Sequence, residues 1–431
     1  MKNPNVVLMI AHDLGRHLGC CGVDTVSSPN ADALAAESAL FTNNFCTAPQ
    51  CSPSRAAIMT GRYPHSNGML GLAHKPFNWK LNAGERHIAH LFSDAGYRTV
   101  LCGHQHVTQD PKSVGFGEVL GAGGNAIEVG KAAAEVISSR SPKKPLYMQI
   151  GFFEPHRPYD FKGALPDESK GVYVPGYLPD TTEARGEFAA LQGAVRRMDE
   201  GVGLVMDAVR RHLPAENTIV VFTTDHGIAM FRAKCTLYDS GIETAFILRA
   251  PGVKSGAREE LVSNVDVLPT LLELAGLPPA ENAQGASLAP LLRGDKAFTP
   301  RSEVFAEMSF HTAYTPMRAV RTAGWKLIRS FEHSWPVDVP TDIQHGPLYG
   351  AIIKDHVGHR PYAELYDLRA DPLEQHDLAE KPGHAGVLAD LSARLLRWMS
   401  ETDDFLLTGP VPSPFYHESM RRLQEDAARA C

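Results

Sequence analysis

Residues 6–10, Val-Val-Leu-Met-Ile, form an unbroken apolar run that stops at Ala11-His12-Asp13-Leu14-Gly15. A run of that length with no polar alternation is the pattern of a strand buried on both faces of a parallel sheet. Further strands are predicted over residues 99–103, 146–153, 217–224 and 244–248, the fourth of these five having the strongest β character. Helical spacing falls between them. Ser28-Pro29-Asn30 opens a helix running to about Leu40, and residues 83–96 carry Ile88, Leu91 and Phe92 on one face. Residues 125–139, 185–212 and 267–275 complete the set. Strands alternating with helices predict an α/β fold, a doubly wound sheet flanked by helices. Ligands of such sheets bind outside the carboxyl ends of the strands. Four of the strands end there in polar residues: His12-Asp13, His104-Gln105-His106, Pro155-His156 and Asp225-His226.

The pattern changes near residue 300. Short strands over 303–306, 317–320, 326–329 and 363–367, with a helix over 387–401, predict a smaller antiparallel sheet with one covering helix. Residues 341–360 read as a histidine-bearing loop. The expected organisation is a catalytic α/β domain over 1–300 and an α+β subdomain over 301–431 that completes the rim of the site.

Composition excludes more than it selects. A chain of 431 residues with 43% hydrophobic and 21% charged residues is an ordinary globular protein. A net charge of −7 gives no footprint for nucleic acid, and the scattered basic residues form no membrane-surface patch. No stretch approaches the roughly 20 apolar residues of a membrane span. The first apolar run is too short for the core of a secretion signal, so a cytoplasmic location is expected. Seven cysteines, odd in number and without a CxxC pair, argue against a disulfide framework and against a structural zinc site.

One of those cysteines stands in a distinctive stretch, Cys51-Ser52-Pro53-Ser54-Arg55, followed by a short apolar run closed by Gly61. Proline is favoured in the first turn and glycine just past the end, so residues 53–60 are predicted to be a helix with Cys51 and Ser52 at its N-terminus. Free amides and the helix dipole there favour an anion, and Arg55 adds a cation. On local chemistry alone, a packed thiol and a reactive one are equally good readings.

Asp13 and Asp225, each beside a histidine (His12 and His226), have the composition of a divalent metal site built from two strand ends. Singly, each aspartate could instead cap the helix that follows its strand. His104, His106, His156 and Lys234 could bind an anion or move protons, although any one of them alone is an ordinary surface or core residue.

Taken together, these motifs resemble the sulfatase family. Cys51 to Arg55 matches its C-x-P-x-R signature, continued by Met59-Thr60-Gly61-Arg62-Tyr63. Residues 5–15 resemble the opening strand and first metal ligands, and residues 222–227 the second metal motif. Residues 102–106 stand where the family has Gly-Lys-x-His, and Lys234, Tyr238 and Gly241 match the lysine segment that follows. Residues 365–378 resemble the family's C-terminal ending.

The resemblance implies an alkaline-phosphatase-like fold and a sulfuric ester or sulfamate hydrolase acting on a substrate such as a sulfated sugar. It implies that Cys51 is converted to formylglycine (3-oxoalanine) by a formylglycine-generating enzyme. The hydrated aldehyde would attack sulfur, and its second hydroxyl would then expel sulfate. Arg55 would hold that group, His106 would assist sulfate release, and Lys234 and His156 would bind sulfate. One divalent ion, Ca2+ or Mn2+, would be held by Asp13, Asp225 and His226, with His12 in the place of a family aspartate. His104 replaces a family lysine. The Asp225-His226 pair resembles the choline sulfatase and phosphonate monoester hydrolase branches, whereas Gly68-Met69-x-Gly71-Leu72 resembles heparan N-sulfatases.

A phosphonate monoester or phosphodiester hydrolase with the same machinery is therefore the alternative. A cysteine phosphatase would need arginine six residues after the cysteine, where Ala57 stands. A non-catalytic binding protein would need lost nucleophile or metal residues, and only positions 12 and 104 depart. His74, Trp79, His311, Tyr314 and the 341–360 loop are candidates for a specificity rim. The sequence leaves a homo-oligomer open.

Overall fold

In a computed structural model of the chain, residues 3–141, 143–332, 339–353 and 358–428 are described. The first ten strands are β1 Asn5–Ala11, β2 Ala39–Phe41, β3 Asn44–Phe45, β4 Arg98–Gly103, β5 Glu118–Leu120, β6 Leu146–Gly151, β7 Thr218–Thr224, β8 Phe246–Arg249, β9 Gly256–Arg258 and β10 Val262–Ser263. Eight of them form one mixed sheet in the order β5-β4-β6-β1-β7-β8-β2-β9. Its five strands from β5 to β7 are parallel, and β8 runs antiparallel to both of its neighbours. Every residue of β1, β6 and β7 is buried, as the unbroken apolar run of β1 predicts for a strand covered on both faces. Helices Ala126–Ser138 and Thr182–His212 cover one face; helices Ile88–Asp94 and Val267–Ala275 cover the other.

The smaller sheet, β11 Glu303–Phe310, β12 Tyr314–Thr322, β13 Trp325–Ser330 and β14 Ala363–Asp367, is antiparallel in chain order. Helix Ala385–Glu401 packs Leu391, Leu395 and Trp398 against its Val320, Leu327 and Leu365. The same cluster takes in Ala57 and Tyr63, so this sheet leans directly on the segment that carries Cys51. A buried ionic network reinforces the junction. Arg318, fully buried, donates from Nη2 to Asp404 Oδ1 at 3.0 Å and pairs with Glu307 at 3.2 Å. Glu307 in turn accepts from the His65 backbone at 2.8 Å and contacts its ring nitrogen at 2.9 Å.

Several predicted boundaries are corrected. The helix opened by Pro29 ends at Ala36, and Leu40 lies in β2. Of residues 83–96 only Ile88–Asp94 is helical. The 341–360 loop contains two short helices, Thr341–Gln344 and Pro347–Ile352, and its residues 354–357 lie outside the described ones. Helix Pro414–Ala428 has no counterpart in the sequence reading. Among the described residues no helix is long and apolar enough to cross a membrane.

Candidate active site

The predicted Cys51 helix forms, spanning Cys51–Thr60, with every residue buried. Gly61 closes it in the left-handed conformation (φ 67°), its amide donating to the Ala57 carbonyl at 2.9 Å. Cys51 is the first helical residue and only 2% exposed. Ser54 anchors the helix below it: its hydroxyl donates to the Asp225 carbonyl and accepts from Asn264 Nδ2 at 2.9 Å.

The ends of β1 and β7 meet directly above. Asp13 turns into the left-handed region (φ 56°) and donates its amide to Asp225 Oδ1 at 2.9 Å; the His226 amide donates to the same oxygen at 2.9 Å. Arg55, fully buried, donates from Nε to Asp225 Oδ2 at 2.9 Å, and its two Nη atoms are buried without a hydrogen-bond partner. Cys51 Sγ lies 3.5 Å from His226 Nε2 and 3.9 Å from Asp13 Oδ1. His12 Nε2 lies 3.5 Å from one carboxylate oxygen of each aspartate. One donor atom from each of His12, Asp13, Cys51, Asp225 and His226 therefore falls within 4.8 Å of all the others.

Lys234, 2% exposed, extends its ammonium between Asp13 Oδ2 and Asp342 Oδ2, both at 2.8 Å, and lies 3.4 Å from His156 Nε2. His156 comes from the segment after β6. His104 and His106 come from the segment after β4, His104 stacked on His12 with ring centroids 4.8 Å apart. His106, also left-handed (φ 64°), places Nε2 2.6 Å from Nδ1 of the exposed His74. All ten predicted site residues thus converge on one rim. Of the rim candidates, His74 contacts the site directly and His311 is buried within electrostatic range of Lys234 and Asp342. Trp79 packs instead on Phe310, as does Tyr314. Asp342 was not singled out by the sequence: an acid inside a loop carries no local signature.

The electrostatics divide the site. Burial opposes charge on Asp13, but Lys234 and three histidines hold its carboxyl well below the ordinary range. Burial also opposes charge on Lys234, yet Asp13 first, then Cys51 and Asp342, keep it firmly an ammonium. His226 is likewise pushed down by burial and raised well above its ordinary value by Asp225 and Asp13. His12, His104 and His106 lie far below theirs, chiefly through burial, with Arg55 and neighbouring histidines adding to it and Asp13 opposing it on His12 and His104, and are neutral. The two carboxylates thus demand cationic partners on the Cys51 side, and a divalent ion between Asp13, Asp225 and His226 meets that demand. The buried, unpartnered nitrogens of His12 are consistent with it. The donor set of two carboxylates and imidazoles fits a metal.

Burial raises the Cys51 thiol, with Asp13 adding to that and Lys234 opposing it. A thiol held protonated is a poor nucleophile. In chain that carries Cys51 unmodified, alkylation by iodoacetamide at pH 7 is expected to be at least about tenfold slower than for a free thiol. A rate at pH 7 equal to that of free cysteine would contradict this.

A parallel α/β sheet with a buried nucleophile position at a helix N-terminus, beside a carboxylate–imidazole cage and two buried cations, defines a hydrolase of anionic esters. The sulfatase family profile matches residues 4–277, and a profile for the C-terminal part of N-sulphoglucosamine sulphohydrolase matches residues 226–347. Human N-sulphoglucosamine sulphohydrolase is 29% identical, with 94% of this chain and 92% of that protein covered. A Delta 4,5-hexuronate-2-O-sulfatase of Bacteroides thetaiotaomicron is 26% identical, over 94% of this chain and 90% of its own. The fold is shared with a solved structure complexed with D-glucosamine-2-N,6-O-disulfate (TM-score 0.73, 19% identity, 94% of this chain and 99% of that one). It is shared equally with a phosphonate monoester hydrolase of Agrobacterium radiobacter (TM-score 0.73, 18% identity, 93% and 96%). The chain belongs to the sulfatase family and is a sulfuric ester hydrolase.

Proposed function

We propose that the protein releases inorganic sulfate from a sulfated saccharide, with Cys51 matured to formylglycine and one Ca2+ or Mn2+ held by Asp13, Asp225 and His226. The observation that carries this reading is the placement of Cys51: enclosed, protonated as a thiol, and within 4 Å of two members of the cage. When present, the hydrated aldehyde supplies two hydroxyls on one carbon, one to accept the sulfuryl group and one to expel it, beside an ion that offsets the charge of the ester.

The chain's own residues do the rest. Arg55 is fixed through Nε by Asp225, which leaves its two free Nη donors to hold the modified side chain. Lys234 is fixed by Asp13 and Asp342 and presents its charge to a sulfate oxygen. His156, next to Lys234, can give a proton to the departing alcohol oxygen. The names of the human and Bacteroides relatives support a sugar substrate bearing N- or O-sulfate.

The test is twofold. The peptide spanning residues 46–62, from active protein made with a maturation enzyme, is expected to show by mass spectrometry the loss of hydrogen sulfide and the gain of one oxygen atom. Active protein with the thiol mass intact would refute the mechanism. The second reading, phosphonate monoester hydrolysis, rests on the histidine after Asp225 and the shared fold. An aryl sulfate is expected to be turned over faster than the matching aryl phosphonate, and the reverse order would favour that second reading.

A further inference from the structure

A cavity of about 490 Å3 opens where the loops after β1 and β7 meet the smaller sheet, and none of the ten candidate active-site residues lines it. Its wall comes from five stretches: residues 15–23, 173–177, 228–243, 321–323 and 368–374. The volume lies within the range of small-molecule sites, about 300–1,000 Å3. The wall is polar but incompletely paired. Nε of Arg16, Nε2 of His17 and Nε of Arg321 are buried with no hydrogen-bond partner. His17 is 5% exposed and Arg321 8%, so open solvent does not serve them. Polar atoms are not left so without cost, and three around one cavity call for a partner inside it.

Charges of both signs alternate around the wall. Arg321 pairs with Asp239 at 3.1 Å, and the buried Lys326 holds Asp239 at 2.5 Å and Glu374 at 2.7 Å. Arg16 and Glu243 stand 3.6 Å apart, beyond hydrogen-bond distance, and both side chains are partly exposed. Partial burial first, then Asp239, raises the Glu243 carboxyl to about 7, which loosens its tie to Arg16 near neutral pH. Burial lowers His17 to about 4, so that ring is neutral. An anion in the cavity would face three carboxyls, and a cation would face two guanidiniums. A neutral hydroxyl suits both: between Arg16 and Glu243 it accepts from one and donates to the other. At the rim, Tyr173 and Leu373 add exposed apolar surface. Hydroxyls along the edge and a C–H face for an aromatic ring are the features of a pyranose.

We propose that this cavity is a second saccharide site, separate from the catalytic one, and binds a neutral pyranose ring. Arg16 and Glu243 take its hydroxyls, His17 and Arg321 offer their unpaired nitrogens, and Tyr173 stacks on its C–H face. The choice of a sugar among neutral polyols rests on the saccharide reading of the active site; the cavity and its unpaired groups do not. A ring held here belongs to the glycan but not to the sulfate ester being cut. The site therefore serves attachment to the saccharide rather than the chemical step.

The experiment is saturation-transfer NMR on the full-length protein with methyl glucoside, methyl galactoside, methyl xyloside and methyl rhamnoside as probes. At least one is expected to bind saturably, and excess inorganic sulfate, which competes for the catalytic site, is expected to leave that signal unchanged. Tyr173→Ala and Glu243→Gln are each expected to weaken the binding by about tenfold, through loss of a stacked ring or of a charged acceptor. Tyr173→Ala is also expected to keep the wild-type turnover of an aryl sulfate. Thermal unfolding establishes that each variant is folded. A wild type that binds none of the four probes saturably overturns the proposal without need of any variant. So does binding that sulfate displaces, or folded variants that bind as the wild type does. Failure of the sulfatase reading would instead show as absent sulfate release with pyranoside binding intact.

Discussion

Cys51→Ala is expected to lower kcat on an aryl sulfate by at least about 10^4-fold, the scale of removing an enzymatic nucleophile. The side chain is small, and its loss costs folding little, on the order of 1 kcal/mol. The unfolding midpoint should therefore stay within a few degrees of the wild type while activity disappears. Cys51→Ser separates two meanings of that loss. A serine offers one hydroxyl where the proposed hydrated formylglycine would offer two, so it could accept a sulfuryl group but lacks the second hydroxyl needed to expel it. Steady-state turnover by Cys51→Ser should be as low as for the alanine variant. Turnover by Cys51→Ala within tenfold of wild type would remove Cys51 from the reaction altogether.

Asp225→Asn is expected to be the most damaging single substitution to both folding and metal content. Asp225 accepts from two backbone amides on Oδ1 and from Arg55 on Oδ2. An asparagine can serve the amides with its oxygen, but then turns its amide nitrogen toward Arg55 Nε, donor against donor. Arg55 is fully buried and has no other acid in hydrogen-bond contact among the described residues. Leaving a buried charge without its partner costs about 3–5 kcal/mol. The expected result is a clearly lower urea midpoint, loss of the ion proposed to sit between Asp13, Asp225 and His226, and no measurable sulfate release. An unchanged midpoint with the ion retained would show that Arg55 is not held as described.

Much of this site was legible because its parts are local. A strand end followed by an acid and a histidine is visible in five or six residues, as is a cysteine placed before proline and glycine-closed apolar residues. The order of strands then carried those parts to one rim. What was not legible depended on tertiary placement. Leu40 continues the apolar spacing of the helix begun at Pro29, yet it pairs in β2 with Ile247 of β8, across more than two hundred residues. Sheet pairing overrode a spacing that suits either structure. Asp342 gave no signal because only folding brings its short helix against Lys234. The contact of His12 with His104 was equally hidden. Each substitution is visible alone, but their stacking depends on β6 separating β1 from β4 by one strand.

The pairing of β1 with β7 joins Asn5 to Thr218 and Ala11 to Thr224. During synthesis, at about 5 to 20 residues per second, the stretch from Cys51 to Thr224 takes roughly 10 to 30 s to make. Until then β1 lacks one of its two neighbours and Asp225 is not yet there to hold Arg55, so the Cys51 helix has no finished seat. Afterwards Cys51 is enclosed at 2% exposure, out of reach of any large catalyst. On the proposed maturation of Cys51, its conversion would be a race against the ribosome, and slower translation between codons 51 and 224 should raise the converted fraction.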